Sequence, residues 1–140
     1  MKRLIQFCTM LALVAAFTVA ANAQTEKRFD TKIPFDFTIG QKSYQAGNYT
    51  IRVAKLAVGA TTVSLETKKG EHLQTFPVLT NGEVLKGKPH LLFTRYENQS
   101  FLTKILTSER GLTVPPSKAE RQILAKNRKN EAKKQAVSVE

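Results

Sequence analysis

The sequence predicts a small all-β fold, an antiparallel β-sandwich or barrel, followed by one C-terminal helix and a basic tail. Three observations support this prediction. Apolar and polar residues alternate in several short segments, which is the period of a half-buried strand. Turn residues, mainly Gly, Pro and Asn, recur roughly every eight to twelve residues. No sustained helical periodicity occurs before residue 117.

The rest of the chain is organised around residues 29–54. In the first arm, the odd positions hold Phe29, Ile33, Phe35, Phe37 and Ile39, and the even positions hold Asp30, Lys32, Pro34, Asp36 and Thr38. This alternation predicts one strand with a buried face, in a register that cannot slip without exposing three Phe rings. The second arm, residues 49–54, repeats the pattern. We expect the two arms to pair and to supply much of the core.

Further strands follow between clear turns. Full strands are predicted over residues 61–67, 72–79, 90–96 and 101–107, and shorter ones over 43–46 and 112–114. Gly70 suits a hairpin turn that needs a positive φ. Pro77 cannot donate to a ladder, so its strand is expected at an edge or a bulge.

The chain changes character at Pro115-Pro116. Ser117 is a predicted N-cap, and Glu120, three residues later, completes a capping box. Ile123 and Leu124 provide a narrow apolar stripe. Burying them yields about 3 to 6 kcal/mol, whereas ordering each backbone residue costs about 1 to 2 kcal/mol. We therefore expect about two to four docked turns and then a frayed basic end.

Residues 1–23 read as a secretory signal peptide. Lys2 and Arg3 precede an apolar run, and Ala21-Asn22-Ala23 is a small-x-small cleavage site, so the cut is expected between Ala23 and Gln24. The alternative, an uncleaved anchor, is disfavoured because the run is short for a bilayer span. The predicted organisation is a signal peptide (1–23), a β-rich domain (24–115) and a C-terminal helix with a basic, partly disordered tail (116–140). The predicted location is secreted or periplasmic.

Three sequence motifs of this chain carry a resemblance to known proteins. The first motif is Ile33-Pro-Phe-Asp-Phe-Thr-Ile-Gly40 followed by Ala46-Gly-Asn-Tyr49. The others are Leu92-Phe-Thr-Arg-Tyr96 before Phe101-Leu102, and Val114-Pro-Pro-Ser-Lys-Ala-Glu-Arg121. These motifs resemble those of small exported acidobacterial-type β-rich proteins of uncharacterised function, and the resemblance covers most of the chain after the signal peptide. It implies export and a common β-rich fold, and it implies no activity.

No catalytic, cofactor-binding or metal-binding residue is predicted. Residues 24–140 contain no Cys, which excludes disulfides and thiolate chemistry there. His72 and His90 alone are too few ligands for a zinc site, and both are expected at strand ends in solvent. The acidic candidates for a carboxylate pair have no spacing that brings them together; they are Asp36, Glu66, Glu83 and Glu97. We therefore expect no enzymatic activity.

Charge is the feature with a functional implication. The 22 basic residues include Lys2 and Arg3, so 20 remain after cleavage against 11 acidic residues, a net charge of +9. An anionic envelope polymer or lipid surface is a predicted partner, and nucleic acid is disfavoured because an exported protein rarely meets it. The simpler interpretation of the tail charges is a solvated, solubilising segment. The predicted contact residues are all in the tail: Lys126, Arg128, Lys129, Lys133 and Lys134.

Two functions follow as hypotheses. The first is an exported, non-enzymatic, envelope-associated or interaction protein. The alternative is a β domain that binds a small ligand or a glycan, which requires an apolar or aromatic concavity.

Overall fold

A computed structural model describes residues 26–126 and the backbone of residues 133–138. The predicted signal peptide and its cleavage site at Ala23 and Gln24 lie outside the described residues. The described chain forms ten β-strands and one helix: β1 (Glu26–Ile33), β2 (Phe37–Ile39), β3 (Lys42–Tyr44), β4 (Gly47–Lys55), β5 (Thr61–Thr67), β6 (His72–Asn81), β7 (His90–Tyr96), β8 (Gln99–Leu106), β9 (Gly111–Thr113), α1 (Lys118–Lys126) and β10 (Lys133–Ser138). The predicted all-β class with one C-terminal helix is confirmed.

The strands form one open sheet that is folded over on itself. Its order is β1-β4-β5-β6-β9-β8-β2-β3, in which β9 pairs with the end of β8 and β2 pairs with Phe101 of β8. Strand β7 pairs with β8 along its whole length. The long strand β6 connects the two halves, because its first part pairs with β5 and its last residues pair with β9. We call β1, β4, β5 and the first part of β6 the first half, and the remaining strands the second half.

In the first half, the predicted alternation of apolar and polar residues agrees with the observed burial. The bounds of β5 match the predicted strand over 61–67. Ile51, Val53, Val63 and Leu65 are buried between the halves, while Arg52 and Ser64 face outward. Pro77 lies opposite Thr62, in the part of β6 that is paired on one side only, as the predicted edge position requires.

The prediction that residues 29–39 form one strand is wrong. The segment divides at residues 34–36 into β1, which pairs with β4, and β2, which pairs with β3 and β8 in the other half. Pro34 has no N–H to donate, and the Asp36 carboxylate accepts the backbone N–H of Ala46 at 2.8 Å. The alternation continues through the break, since Ile33 and Phe37 are both buried.

Aromatic rings join the two halves into one core. Phe37 from β2 meets Tyr49 of β4 edge-on, with 5.2 Å between the ring centroids. Phe93 of β7 contacts Phe37 at 5.7 Å and Phe35 at 5.1 Å. Such edge-to-face pairs are favourable beyond the area they bury.

Helix α1 begins as predicted and docks differently. The backbone N–H of Glu120 donates to Ser117 Oγ at 3.1 Å, which is the expected N-cap bond. However, Glu120 is the buried residue of this helix. Ile123 is only half-buried and Leu124 is 40% exposed, so the predicted docking through these two side chains is wrong. The capping box, whose acidic residue turns back to the helix start, explains why Glu120 is covered.

The C-terminal segment also differs from the predicted frayed end. Residues Lys133–Ser138 form β10, which pairs antiparallel with β7, from Lys133 opposite Arg95 to Ser138 opposite His90. Without this pairing one side of β7 would present unpaired N–H and C=O groups, so the edge favours strand addition. Residues 127–132 and 139–140 lie outside the described residues.

Candidate functional site

Loops from both halves meet at one end of the folded sheet. The register places the end of β4 beside the starts of β1 and β5. In the second half, the end of β6 lies beside the start of β9, and the end of β8 lies beside the start of β7. An ion pair between Lys27 of β1 and Glu109 of the β8–β9 turn joins the two halves here. We call this region, which comprises the loops 56–60, 82–89 and 107–110 and the adjoining strand ends, the loop end.

The β4–β5 loop is closed by its own backbone. The N–H of Leu56 donates to the carbonyl of Ala60 at 2.8 Å, and the N–H of Gly59 donates to the carbonyl of Leu56 at 2.9 Å. Gly59 has a φ of 84°, which a glycine adopts without strain. Val58 stands at the tip, 86% exposed. An aliphatic side chain is thus fixed outside the molecule.

The β6–β7 loop is held against the β8–β9 turn. The N–H of Leu85 donates to the carbonyl of Thr107 at 3.2 Å. Gly111 permits the approach, because a Cβ there would lie 2.8 Å from the carbonyl oxygen of Glu83 and would collide with Asn81. Val84, in the same loop, is 59% exposed.

Exposed large apolar residues are concentrated at the loop end. Among the described residues there are four: Val58, Val84, Leu79 at 63% exposure, and Leu124 on α1. The first three belong to the loop end. A single exposed aliphatic side chain on a protein surface is ordinary, but a group at one end indicates a contact surface.

The charges at the loop end are unbalanced in favour of cations. Each of its acids has a cationic partner: Glu26 with Arg52, Glu83 with Lys104 at 2.9 Å, and Glu109 with Lys27. The hydrogen bond and charge of Lys27 lower the pKa of the Glu109 carboxyl. Four further cations form no salt bridge with any described residue: Lys55, Lys86, Lys88 and Arg110. The surface therefore presents positive charge without competing free carboxylates.

A shallow cleft opens between the two halves at the same end. Val53 and Leu112 line its apolar part, and Lys27, Lys55 and Arg110 line its rim. The enclosed space is about 30 Å³. Ligand pockets are typically about ten times larger or more, so the cleft admits a few atoms and not a whole small molecule.

The residues predicted to contact an anionic surface are not brought to the loop end. Lys126 is exposed at the last residue of α1. Lys133 and Lys134 are in β10, opposite Arg95 and Thr94, at the other end of β7 from the loop end. Arg128 and Lys129 lie outside the described residues.

The histidines and acidic residues do not converge. His72 begins β6 in the first half, whereas His90 begins β7 in the second half and its Nδ1 lies 2.7 Å from the carbonyl oxygen of Lys88. Within residues 26–126 no three His, Cys, Asp or Glu side chains are close enough to hold a metal ion. No helix in the described chain has the length and apolar character to cross a bilayer.

A second charged cluster, on the outer face of the first half, is structural. Glu66 is buried, with Arg52 Nη2 3.3 Å and Arg28 Nη2 3.6 Å from its carboxylate oxygens. Beside it Thr50 donates its hydroxyl to Asp30 at 2.6 Å. These groups satisfy one another across neighbouring strands, which is the usual role of opposite charges on a sheet face.

Sequence reasoning missed the loop end. One signal was available, since Val58 is an aliphatic residue within a segment predicted to be a loop. The pairing of each acid with a cation depends on contacts between strands far apart in sequence.

No protein-family model, no curated protein and no solved structure matches this chain.

Proposed function

We propose that this chain is an exported, non-enzymatic protein that attaches to an anionic surface of the envelope through its loop end. One observation carries the proposal: the acids of the loop end are all paired, while Lys55, Lys86, Lys88 and Arg110 form no salt bridge with any described residue. The positive face is therefore available to an external anion.

The expected strength follows from the number of free cations. A Lys or Arg near an anionic lipid surface contributes about 1 kcal/mol. Four such cations contribute about 4 kcal/mol together, which corresponds to roughly a thousandfold in affinity. Because the contact is electrostatic and exposed, salt should weaken it strongly.

The absence of enzymatic activity is part of the proposal. A general acid that works near neutral pH needs a raised pKa, whereas the pKa of Glu109, beside the cleft, is lowered by Lys27. The aliphatic and cationic side chains of the loop end are suited to binding a partner and not to transferring protons.

The test is co-sedimentation of residues 24–140 with native envelope fractions. We expect the chain to pellet at about 0.05 M salt and to be released at about 1 M salt, where the Debye length falls to about 3 Å. The same chain without envelope fractions controls for self-association. Failure to pellet at low salt would contradict the proposal.

The cleft gives a second candidate function, the binding of a small ligand of which only a few atoms enter the cleft. Its apolar part and cationic rim suit a small anion with a short aliphatic group. Thermal unfolding with short-chain carboxylates tests this function, because a ligand that binds only the folded state raises the unfolding temperature. A Leu112→Ala variant that keeps the same temperature shift would exclude the cleft as the site.

A further inference from the structure

We infer that the anionic surface is a lipid bilayer, and that Val58 and Val84 enter its headgroup region while the neighbouring cations contact lipid phosphates. This inference rests on the proposed attachment through the loop end and names its partner. Exposed apolar side chains beside Lys and Arg are the combination by which proteins lie on a membrane interface.

The apolar tips distinguish a bilayer from a wall polymer. A hydrated anionic polymer binds cations and gains little from aliphatic side chains, whereas a bilayer removes them from water. Val58 is 86% exposed and Val84 is 59% exposed in the free protein, so binding to a bilayer can bury most of the surface of each side chain. Both project from loops held by backbone hydrogen bonds, so binding orders little additional chain.

The sequence spacing places cations next to each tip. Lys55 is three residues before Val58, and Lys86 and Lys88 follow Val84 by two and four residues. Arg110 lies in the turn between these loops and lines the cleft with Lys55. Each apolar tip therefore has cations within four residues in sequence, and these can contact lipid phosphates when the tip enters the headgroup region.

The opposite end of the sheet provides an internal comparison. Its turns lie at residues 68–71 and 97–98, and the first of them carries the cations Lys68 and Lys69. None of the exposed large apolar residues of the described chain lies in these turns. Positive charge therefore occurs at both ends of the sheet, whereas the exposed apolar tips lie at the loop end.

A single introduced tryptophan tests the inference, because the chain contains none. V58W places the fluorophore at a tip, and V84W does so at the second tip. N98W is the matched control, since Asn98 is exposed in the β7–β8 turn at the opposite end. Each protein, as residues 24–140, is mixed with phosphatidylcholine vesicles that contain or lack phosphatidylglycerol, and emission and quenching by brominated acyl chains are recorded.

The expected result is a blue shift and quenching for V58W and V84W on anionic vesicles, and neither for N98W. In the otherwise native chain, V58D should weaken vesicle binding about tenfold. Replacing Lys55, Lys86 and Lys88 by Gln should weaken it about fivefold per cation. Val58 is exposed, so these variants are expected to unfold at the native temperature.

Two outcomes would overturn the inference and separate it from the proposed function. If the native chain pellets with envelope fractions while V58W and V84W stay water-exposed on anionic vesicles, the partner is a polymer and the lipid inference is wrong. If the chain binds neither vesicles nor envelope fractions, the proposed function is wrong as well.

Discussion

The ring of Phe37 lies edge-on to that of Tyr49, with their planes at 89° and their centroids 5.2 Å apart. Phe37 belongs to a three-residue strand of the second half, and Tyr49 belongs to β4 of the first. Their contact, with that of Phe37 and Phe93, closes the folded sheet over one core.

Replacing Phe37 by Ala should therefore destabilise the whole domain. Phe37 is 2% exposed, and a buried Phe→Ala change costs about 3 to 5 kcal/mol. Urea unfolding followed by circular dichroism measures the loss. Phe35→Ala is the control, because Phe35 is only half-buried and should cost clearly less. Equal losses at both positions would contradict the assignment of Phe37 as the residue that joins the halves.

The buried carboxylate of Glu66 predicts a stability effect on the outer face. In Glu66→Gln the charges of Arg28 and Arg52 lose their shared partner. Because both arginines are partly exposed, we expect a loss of about 1 to 2 kcal/mol, less than for a fully buried pair. Glu26→Gln removes a more exposed partner of Arg52 and should change the free energy of unfolding by under about 0.5 kcal/mol. A loss at position 26 as large as that at position 66 would exclude this explanation.

The pKa of Glu120 predicts the pH dependence of stability. Burial raises this pKa above its ordinary value near 4.5, and a hydrogen bond from the Ser117 backbone opposes the shift. The folded state then holds the Glu120 proton more tightly than the unfolded state. Its contribution to stability is present below pH 4.5 and is lost as pH rises through the folded-state pKa.

Glu120→Gln should remove this contribution and keep the capping box, since Gln also serves at that position. We expect the native chain to lose stability relative to the variant as pH rises from about 4 to neutrality. Chemical unfolding of both proteins across that range measures the difference. Parallel stability curves would show that Glu120 does not titrate in this way.

The pairing of β10 with β7 predicts the effect of a C-terminal truncation. A chain that ends at residue 126 lacks β10 and exposes the free edge of β7. Exposed edges recruit other strands, so this chain should associate at concentrations where the full chain is monomeric. Sedimentation velocity of the two proteins tests this. A truncated chain that stays monomeric at these concentrations would contradict the prediction that the free edge of β7 causes association.

The sequence predicts the strands well where alternation and turn residues agree. Residues 61–67 and 90–96 match β5 and β7 because each has an alternating or continuous apolar pattern between clear turns. The break at Pro34 was missed because alternation continues through it, and only the pairing partners reveal that β1 and β2 belong to different halves. The burial of Glu120 in α1 was not predicted, because the prediction relied on the apolar residues of the helix and not on the geometry of its N-cap.

The loop end was less predictable than the fold. The sequence shows where Lys55, Val58 and Val84 occur, but the register brings their loops together. The partners of Glu26, Glu83 and Glu109 lie on other strands, so the surplus of free cations emerges only in the folded chain.

The central claim, that the loop end and not the tail attaches the protein, is tested most directly by comparing two charge variants of the full mature chain. One replaces Lys55, Lys86, Lys88 and Arg110 by Gln, and the other replaces Lys126, Arg128, Lys129, Lys133 and Lys134 by Gln. The measurement is the dissociation constant for anionic vesicles at about 0.15 M salt. We predict that the loop-end variant binds several hundredfold more weakly than the native chain, while the tail variant changes less than about tenfold. Loss of binding in the tail variant alone would contradict the claim and return the contact to the predicted tail residues.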